Sequence, residues 1–134
     1  SKEITLVSEN DKNKIDIQRS AEMIYGLRNF IGNAIKFSKS KVNIFLTSND
    51  KEIKITVNDD GPGFPRDIIE KLGEPYIKSR SIELNPNSGL GLGTFLGKTL
   101  LERQSAKLLF KDDKNLGGAS VVISWSPKNI LLNV

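Results

Sequence analysis

Apolar and polar residues alternate in two neighbouring runs, "KVNIFLTS" (Lys41 to Ser48) and "EIKITVN" (Glu52 to Asn58). A period of two predicts strands, with Val42, Ile44 and Leu46 on one face of the first and Ile53, Ile55 and Val57 on one face of the second. Asn49-Asp50-Lys51 between them predicts a hairpin. "EITLV" (Glu3 to Val7) predicts a leading strand and "KIDIQR" (Lys14 to Arg19) a second or edge strand. "AKLLFK" and "ASVVISW" predict a returning pair near the end, separated by "DDKNLGG".

Elsewhere the period lengthens. Ile24, Leu27, Ile31 and Ala34 recur at helical spacing and predict a helix capped by Ser20 and running to about Phe37, its apolar stripe against the sheet. Glu22 falls in its first turn, where the helix dipole favours a carboxylate. Pro65 opens a short helix through Leu72, which Gly73 closes. A third helix is predicted from about Thr94 to Gln104, with Leu92, Phe95, Leu96, Thr99 and Leu100 as its buried stripe. From Glu74 to Gly89 no period survives, and a stretch of that length holding Pro75, Pro86 and Asn87 reads as a lid or binding loop. Together these elements predict an α+β fold, a two-layer sandwich in which a mixed β-sheet is covered by three helices on one side.

The chain of 134 residues suits one domain, residues 1–134, without repeat or linker. A domain of that size buries roughly two-thirds of its unfolded surface. With 37% hydrophobic and 27% charged residues and no long apolar run, it reads as soluble and cytoplasmic, without signal peptide or direct membrane contact. The absence of cysteine removes disulfides and thiolate metal sites. A net charge of +4, spread along the chain, argues against a nucleic-acid partner. The most restrictive count is zero histidine. It excludes a histidine general base, a histidine-activated nucleophile and any imidazole metal ligand within the chain, leaving carboxylates, amides, backbone and cations.

Three stretches can carry chemistry from those groups. In the first helix, Asn29, Asn33 and Lys36 follow i, i+4, i+7 beside the apolar stripe. Asparagine is a mediocre helix former, so the row is either a solvated face or a site in which the Asn33 amide oxygen meets a hard cation and Lys36 the anion that it neutralises. "DDGPGF" is either a tight turn or the floor of a pocket. In the pocket reading, Asp59 ends a strand and accepts from an exocyclic amine such as adenine's, while Gly61 and Gly63 let the backbone approach a flat ligand. "SGLGLGTFLGKTLLER" (Ser88 to Arg103) ends like a P-loop, but Leu92 stands where its first glycine is required. Its ladder of Gly89, Gly91 and Gly93 is either a hinge or a curl of inward N–H groups ahead of a helix N-terminus, which makes a phosphate cradle. Lys98 projects from the predicted stripe and reads as a surface lysine.

In order, "LRNFIGNAIKFS", "DDGPGF", "GEPYIKSR", "GLGLGTF" and "GGAS" resemble the N, G1, F, G2 and last glycine boxes of the catalytic, ATP-binding domain of bacterial sensor histidine kinases. The resemblance spans Ser20 to Trp125, and the wording of the N and G2 stretches is similar to the redox-responsive RegB/PrrB group. It implies the Bergerat, or GHKL, fold shared with gyrase and the Hsp90 chaperone. It implies Asn33 as ligand of the Mg²⁺ that bridges the ATP phosphates, with Asn29 beside it and Lys36 on phosphate. It implies Asp59 under the adenine amine, Gly61 and Gly63 shaping that pocket, and Phe37 and Tyr76 packing near the nucleotide. Gly89, Gly91, Leu92 and Gly93 would fold over the phosphates, with Lys78 and Arg80 as cations at the base of that lid. Ser120 would sit near the adenine, although Ala119 stands where the last box usually has a second glycine.

The missing histidine then implies that the phosphoacceptor lies on a separate dimerisation domain, and that the chain is an excised catalytic domain, monomeric in isolation, whose partners are that domain and, through it, a response regulator. Hydrolysing relatives of the fold carry a glutamate four residues before the metal-binding asparagine, where this chain has Asn29. An ATPase module of the gyrase or chaperone type and a non-catalytic ATP-binding module are the alternative readings.

Overall fold

The structure, a computed structural model, describes residues 2–10, 20–64 and 91–130. Its elements run β1 (Glu3–Asn10), α1 (Ala21–Phe37), β2 (Lys41–Ser48), β3 (Ile53–Asp59), α2 (Gly91–Arg103), β4 (Lys107–Asp112), β5 (Ala119–Trp125) and a short α3 (Pro127–Ile130). The strands form one mixed sheet in the order β1-β2-β3-β5-β4, with β1 parallel to β2 and every other pair antiparallel.

Alternation settles which residues face the helices. Ile53, Ile55 and Val57 of β3 stand opposite Trp125, Ile123 and Val121 of β5, and Leu108 and Phe110 of β4 continue the same rows. This face meets Met23 and Phe30 of α1 and Leu101 of α2 in one core, while Ala34 packs with Val42 and Val57 in a second. Ile53, Leu101 and Ile123 are wholly buried, and each such side chain contributes about 2 kcal/mol by area removed from water. Ser48 pairs with Ile53 across the expected hairpin, whose turn is held by the Asn49 side-chain oxygen accepting from the N–H groups of Lys51 and Glu52.

Ser20 caps α1 as expected, its hydroxyl accepting from the Met23 N–H at 3.1 Å. At the other end Ser38 turns extended, and the Lys2 ammonium donates to the carbonyls of Ile35 and Lys36. The buried line of α1 is Met23, Gly26, Phe30 and Ala34, which shares Ala34 with the expected stripe and is otherwise turned from it; Leu27 and Ile31 pack against the core at its flank, and Ile24 is half-buried. The rotation follows from α2, which claims part of the helix surface that a sheet-only packing would have left to solvent.

α2 differs more from expectation. It starts at Gly91, three residues before Thr94, so Gly91 and Gly93 belong to its first turn. Its buried residues are Thr94, Phe95, Gly97 and Leu101, while Leu96 and Thr99 are exposed. The reason is the antiparallel seam with α1. A Cβ on Gly26 would lie 2.5 Å from the Leu101 side chain, one on Gly97 would lie 3.2 Å from the Asn29 Cβ, and one on Gly93 would lie 2.8 Å from the Asn29 Oδ1. Small residues let the two helices close on each other, and that contact rather than the sheet fixes the rotation of α2. Glu22–Arg103 and Ser20–Gln104 contacts tie the start of α1 to the end of α2. The expected strand at 14–19, the helix at 65–72 and the loop at 74–89 lie outside the described residues.

Candidate functional site

The antiparallel seam brings the N-terminus of α2 to the asparagine-bearing half of α1, above the end of β3. There a cleft opens between Asn33 and Ala34 of α1, Asp59 at the end of β3, Phe64, and Ala119 and Val121 of β5. The open space between these residues is ≈ 20 Å³, room for about one water. Phe30 and Phe64 both pack on Phe110, with ring centroids 5.7 Å apart in each pair, and form the apolar side of the cleft.

Asp59 is buried at 5% exposure. Its Oδ1 accepts from the Gly61 N–H at 2.8 Å and the Ala119 N–H at 3.2 Å, and among the described residues no hydrogen bond engages Oδ2. Burial pushes this carboxyl above the usual range; the two N–H bonds oppose the shift, and the charges of Asp60 and Asp113 add to it. Its neighbour in sequence has a different task. Asp60 accepts from the N–H groups of Lys39 and Ser40 and from the Ser40 hydroxyl, clamping the link after α1 to the turn after β3. Burial alone would raise the Asp60 carboxyl, but the bonds from Ser40, Lys41 and Lys39 outweigh it and hold it well below the usual range.

Asn33 donates from Nδ2 to the Thr94 hydroxyl at 3.1 Å, and among the described residues its amide oxygen has no hydrogen bond. Lys36 is exposed, with its ammonium 5.3 Å from the centre of the Phe37 ring. Among the described residues no cluster of acidic side chains is arranged to hold a metal. A single amide oxygen nevertheless fits Mg²⁺, which keeps waters and takes substrate phosphates as ligands rather than a dedicated protein cage.

Residues 19–129 match the family model described as histidine kinase-, DNA gyrase B- and HSP90-like ATPase. The chain belongs to this family. Within it, the chain is 41% identical to the sensor histidine kinase RegB of Cereibacter sphaeroides over 105 residues, 75% of this chain and 23% of that protein. It is 31% identical to the sensor histidine kinase CpxA of Escherichia coli K12 over 101 residues, 75% of this chain and 22% of that one. The chain thus spans less than a quarter of the length of either kinase. Among solved structures, the nucleotide-free catalytic domain of the histidine kinase ThkA superposes with a TM-score of 0.67 at 20% identity, covering 94% of this chain and 82% of that one. At that identity the likeness is one of fold.

Against this histidine kinase-like ATPase fold, the sequence-derived site divides clearly. Asn33 and Asp59 both line the cleft, Gly61 donates to the Asp59 carboxylate from the turn beyond it, and Gly63 in the same turn has a φ of +84°, which favours glycine. Asn29 lies in the helix seam against Gly93 and Gly97. Gly91 and Gly93 open α2 instead of curling ahead of it, and Leu92 is described here only as part of that helix. Ser120 is a correction: it pairs with Asn58 on the face opposite Asp59, because strand alternation turns Ala119 and Val121 into the cleft and Ser120 away from it. Lys98 is paired with Glu102 at 2.9 Å and is only 13% exposed in its side chain, so it is neither a phosphate-binding nor a free surface lysine. Tyr76, Lys78, Arg80 and Gly89 lie outside the described residues.

The sequence reading passed over Phe30, Phe64, Asp60, Thr94 and Gly118. Gly118 had a visible signal, a glycine pair before a strand. A Cβ there would lie 2.3 Å from the Asp59 carbonyl oxygen, 2.4 Å from its Oδ1 and 2.6 Å from the Gly61 N. Gly118→Ala is therefore expected to displace backbone at the cleft floor, destabilising the domain by about 1–3 kcal/mol. Chemical denaturation of the two proteins checks it; a stability equal to the parent's would mean that this contact relaxes freely.

Proposed function

We propose that this chain is a single catalytic domain that binds Mg-ATP and donates the γ-phosphate to a histidine on a separate dimerisation domain of a two-component sensor kinase. A response regulator then takes the phosphate from that histidine. The observation that carries the reading is Asp59, a buried carboxylate with one oxygen fixed by two backbone N–H groups and the other without a hydrogen bond among the described residues, in a cleft with aromatic walls. An adenine amino group suits that acceptor; guanine has a carbonyl at the matching position, which would meet it acceptor to acceptor.

In this reading Asn33 gives its amide oxygen to Mg²⁺, which supplies charge neutralisation at the phosphates when bound. Lys36 offers its exposed ammonium to phosphate, and the positive end of the α2 dipole, with Gly91 and Gly93, favours the same charge. Asn29, Phe37, Gly61, Gly63, Leu92, Tyr76, Lys78, Arg80 and Gly89 complete the proposed nucleotide site. The similarity to RegB supports a place in a redox-responsive, transcription-controlling system. Among the described residues no helix is long and apolar enough to cross a membrane; the proposed setting is the cytoplasmic side of a membrane-anchored sensor.

Calorimetry of Asn33→Ala with ATP and Mg²⁺ tests the metal assignment. Loss of one bond to a charged group corresponds to about 1–3 kcal/mol, roughly tenfold to a hundredfold in affinity. Equal affinity in the two proteins would remove Asn33 from the site.

A further inference from the structure

We infer that Thr94 is a positioning residue: its hydroxyl holds the Asn33 amide with the nitrogen turned into the helix seam and the oxygen turned toward the bound cation. The inference rests on the reading of Asn33 as the metal ligand and adds a residue from a different helix to that function.

Thr94 has no exposed surface at all, yet it carries a polar group in a seam that also holds Gly26, Gly93, Gly97, Leu101 and Asn29. Valine has nearly the same shape and would bury there without a hydroxyl to satisfy, so packing alone gives no reason for threonine. The chemistry does. An asparagine amide has an acceptor end and a donor end that differ little in size, and rotation about its last torsion exchanges them. A cation can be ligated only by the oxygen. When the oxygen is on the metal, the NH₂ group must face Thr94, where the hydroxyl accepts at 3.1 Å. With a methyl in that position, the same orientation leaves a part-buried N–H group facing an apolar one, which opposes the metal-binding rotamer. The arrangement also ties the first turn of α2, next to the proposed phosphate-binding N–H groups, to the residue that meets the metal.

The experiment compares ATP affinity with Mg²⁺ and with chelator present, in the parent, Thr94→Val, Thr94→Ser and Asn33→Ala. The gain in affinity that Mg²⁺ confers should fall about tenfold in Thr94→Val and be retained in Thr94→Ser, whose hydroxyl remains. Affinity without Mg²⁺ should fall by less in Thr94→Val than the Mg²⁺ gain does, which separates orientation of the amide from general loosening of the seam. A second readout needs no variant: in the nucleotide-free parent, the Asn33 side-chain amide hydrogens should exchange more slowly than those of exposed Asn115. An unchanged Mg²⁺ gain in Thr94→Val, with that gain abolished in Asn33→Ala, would overturn the role of Thr94 alone. An unchanged gain in Asn33→Ala would overturn the metal reading beneath it. If Thr94→Val fails to fold, unprotected Asn33 amide hydrogens in the parent overturn the inference and protected ones support it.

Discussion

Asp59→Asn is expected to abolish ATP binding while leaving the domain as stable as the parent at neutral pH, or more so. Burial raises the Asp59 carboxyl, so the folded protein holds that proton more tightly than the unfolded chain does. The sign follows: the contribution of Asp59 to stability is largest in acid, below the unfolded value, and is lost as pH rises through the raised folded value. At neutral pH the ionised carboxylate is a cost that the fold carries. An asparagine oxygen can still accept from the Gly61 and Ala119 N–H groups, and the buried charge disappears. Its NH₂ group then stands where Oδ2 was and meets the adenine amine donor to donor. Exchange of an attractive contact for a repulsive one corresponds to about 3 kcal/mol or more, at least roughly a hundredfold in affinity. Thermal melts and ATP titrations of the same preparation check both halves. A variant that binds ATP like the parent would leave "DDGPGF" as an ordinary turn, and one that binds weakly only because it melts early would refute the stability argument.

ATP should persist in the presence of the chain alone. Asn29 occupies the position, four residues before Asn33, at which a hydrolysing site of this kind needs a carboxylate to orient and deprotonate water. An amide cannot accept that proton at neutral pH, and this one is packed between the helices against Gly93 and Gly97. A positioned general base contributes about 10² to 10⁴ in rate, so partner-free turnover should be lower by about that factor than in a site with glutamate there. The proposed site still supplies orientation and charge neutralisation, most of what phosphoryl transfer asks of a protein. With labelled ATP the chain should neither label itself, having no histidine, nor release phosphate quickly. Label should appear on histidine when a cognate histidine-bearing dimerisation domain is added. Brisk hydrolysis without partner that disappears in Asn33→Ala would replace the kinase reading with the ATPase one.

The strands were legible because alternation is a local signal: Val42, Ile44, Ile53, Ile55 and Val57 face the helices as their spacing requires. The hairpin was legible for the same reason, since Asn49 makes its turn from within three residues. Helix rotation was not. The stripes of α1 and α2 each came out turned from expectation, because the apolar pattern records which residues avoid water but not whether a sheet or a second helix covers them. Gly26, Gly93 and Gly97 make close helix contact possible, and of the three only Gly93 carried a sequence signal, which pointed to a hinge or cradle instead.

The site divides along the same line. Sequence by itself determined the chemical inventory: no histidine, no cysteine, an asparagine row on one helix, an aspartate at a strand end, and boxes in an order that marks the family. Tertiary structure decided which of two adjacent aspartates faces the cleft, Asp59, and which clamps a backbone link, Asp60. It turned Ser120 to the far face, set Gly118 against the Asp59 carboxylate and gave Asn33 its partner in Thr94, 61 residues away. Such contacts join segments remote in sequence, and a hydrogen bond of that kind has no periodicity: it exists only once sheet register and helix rotation have brought the two groups within about 3 Å of each other.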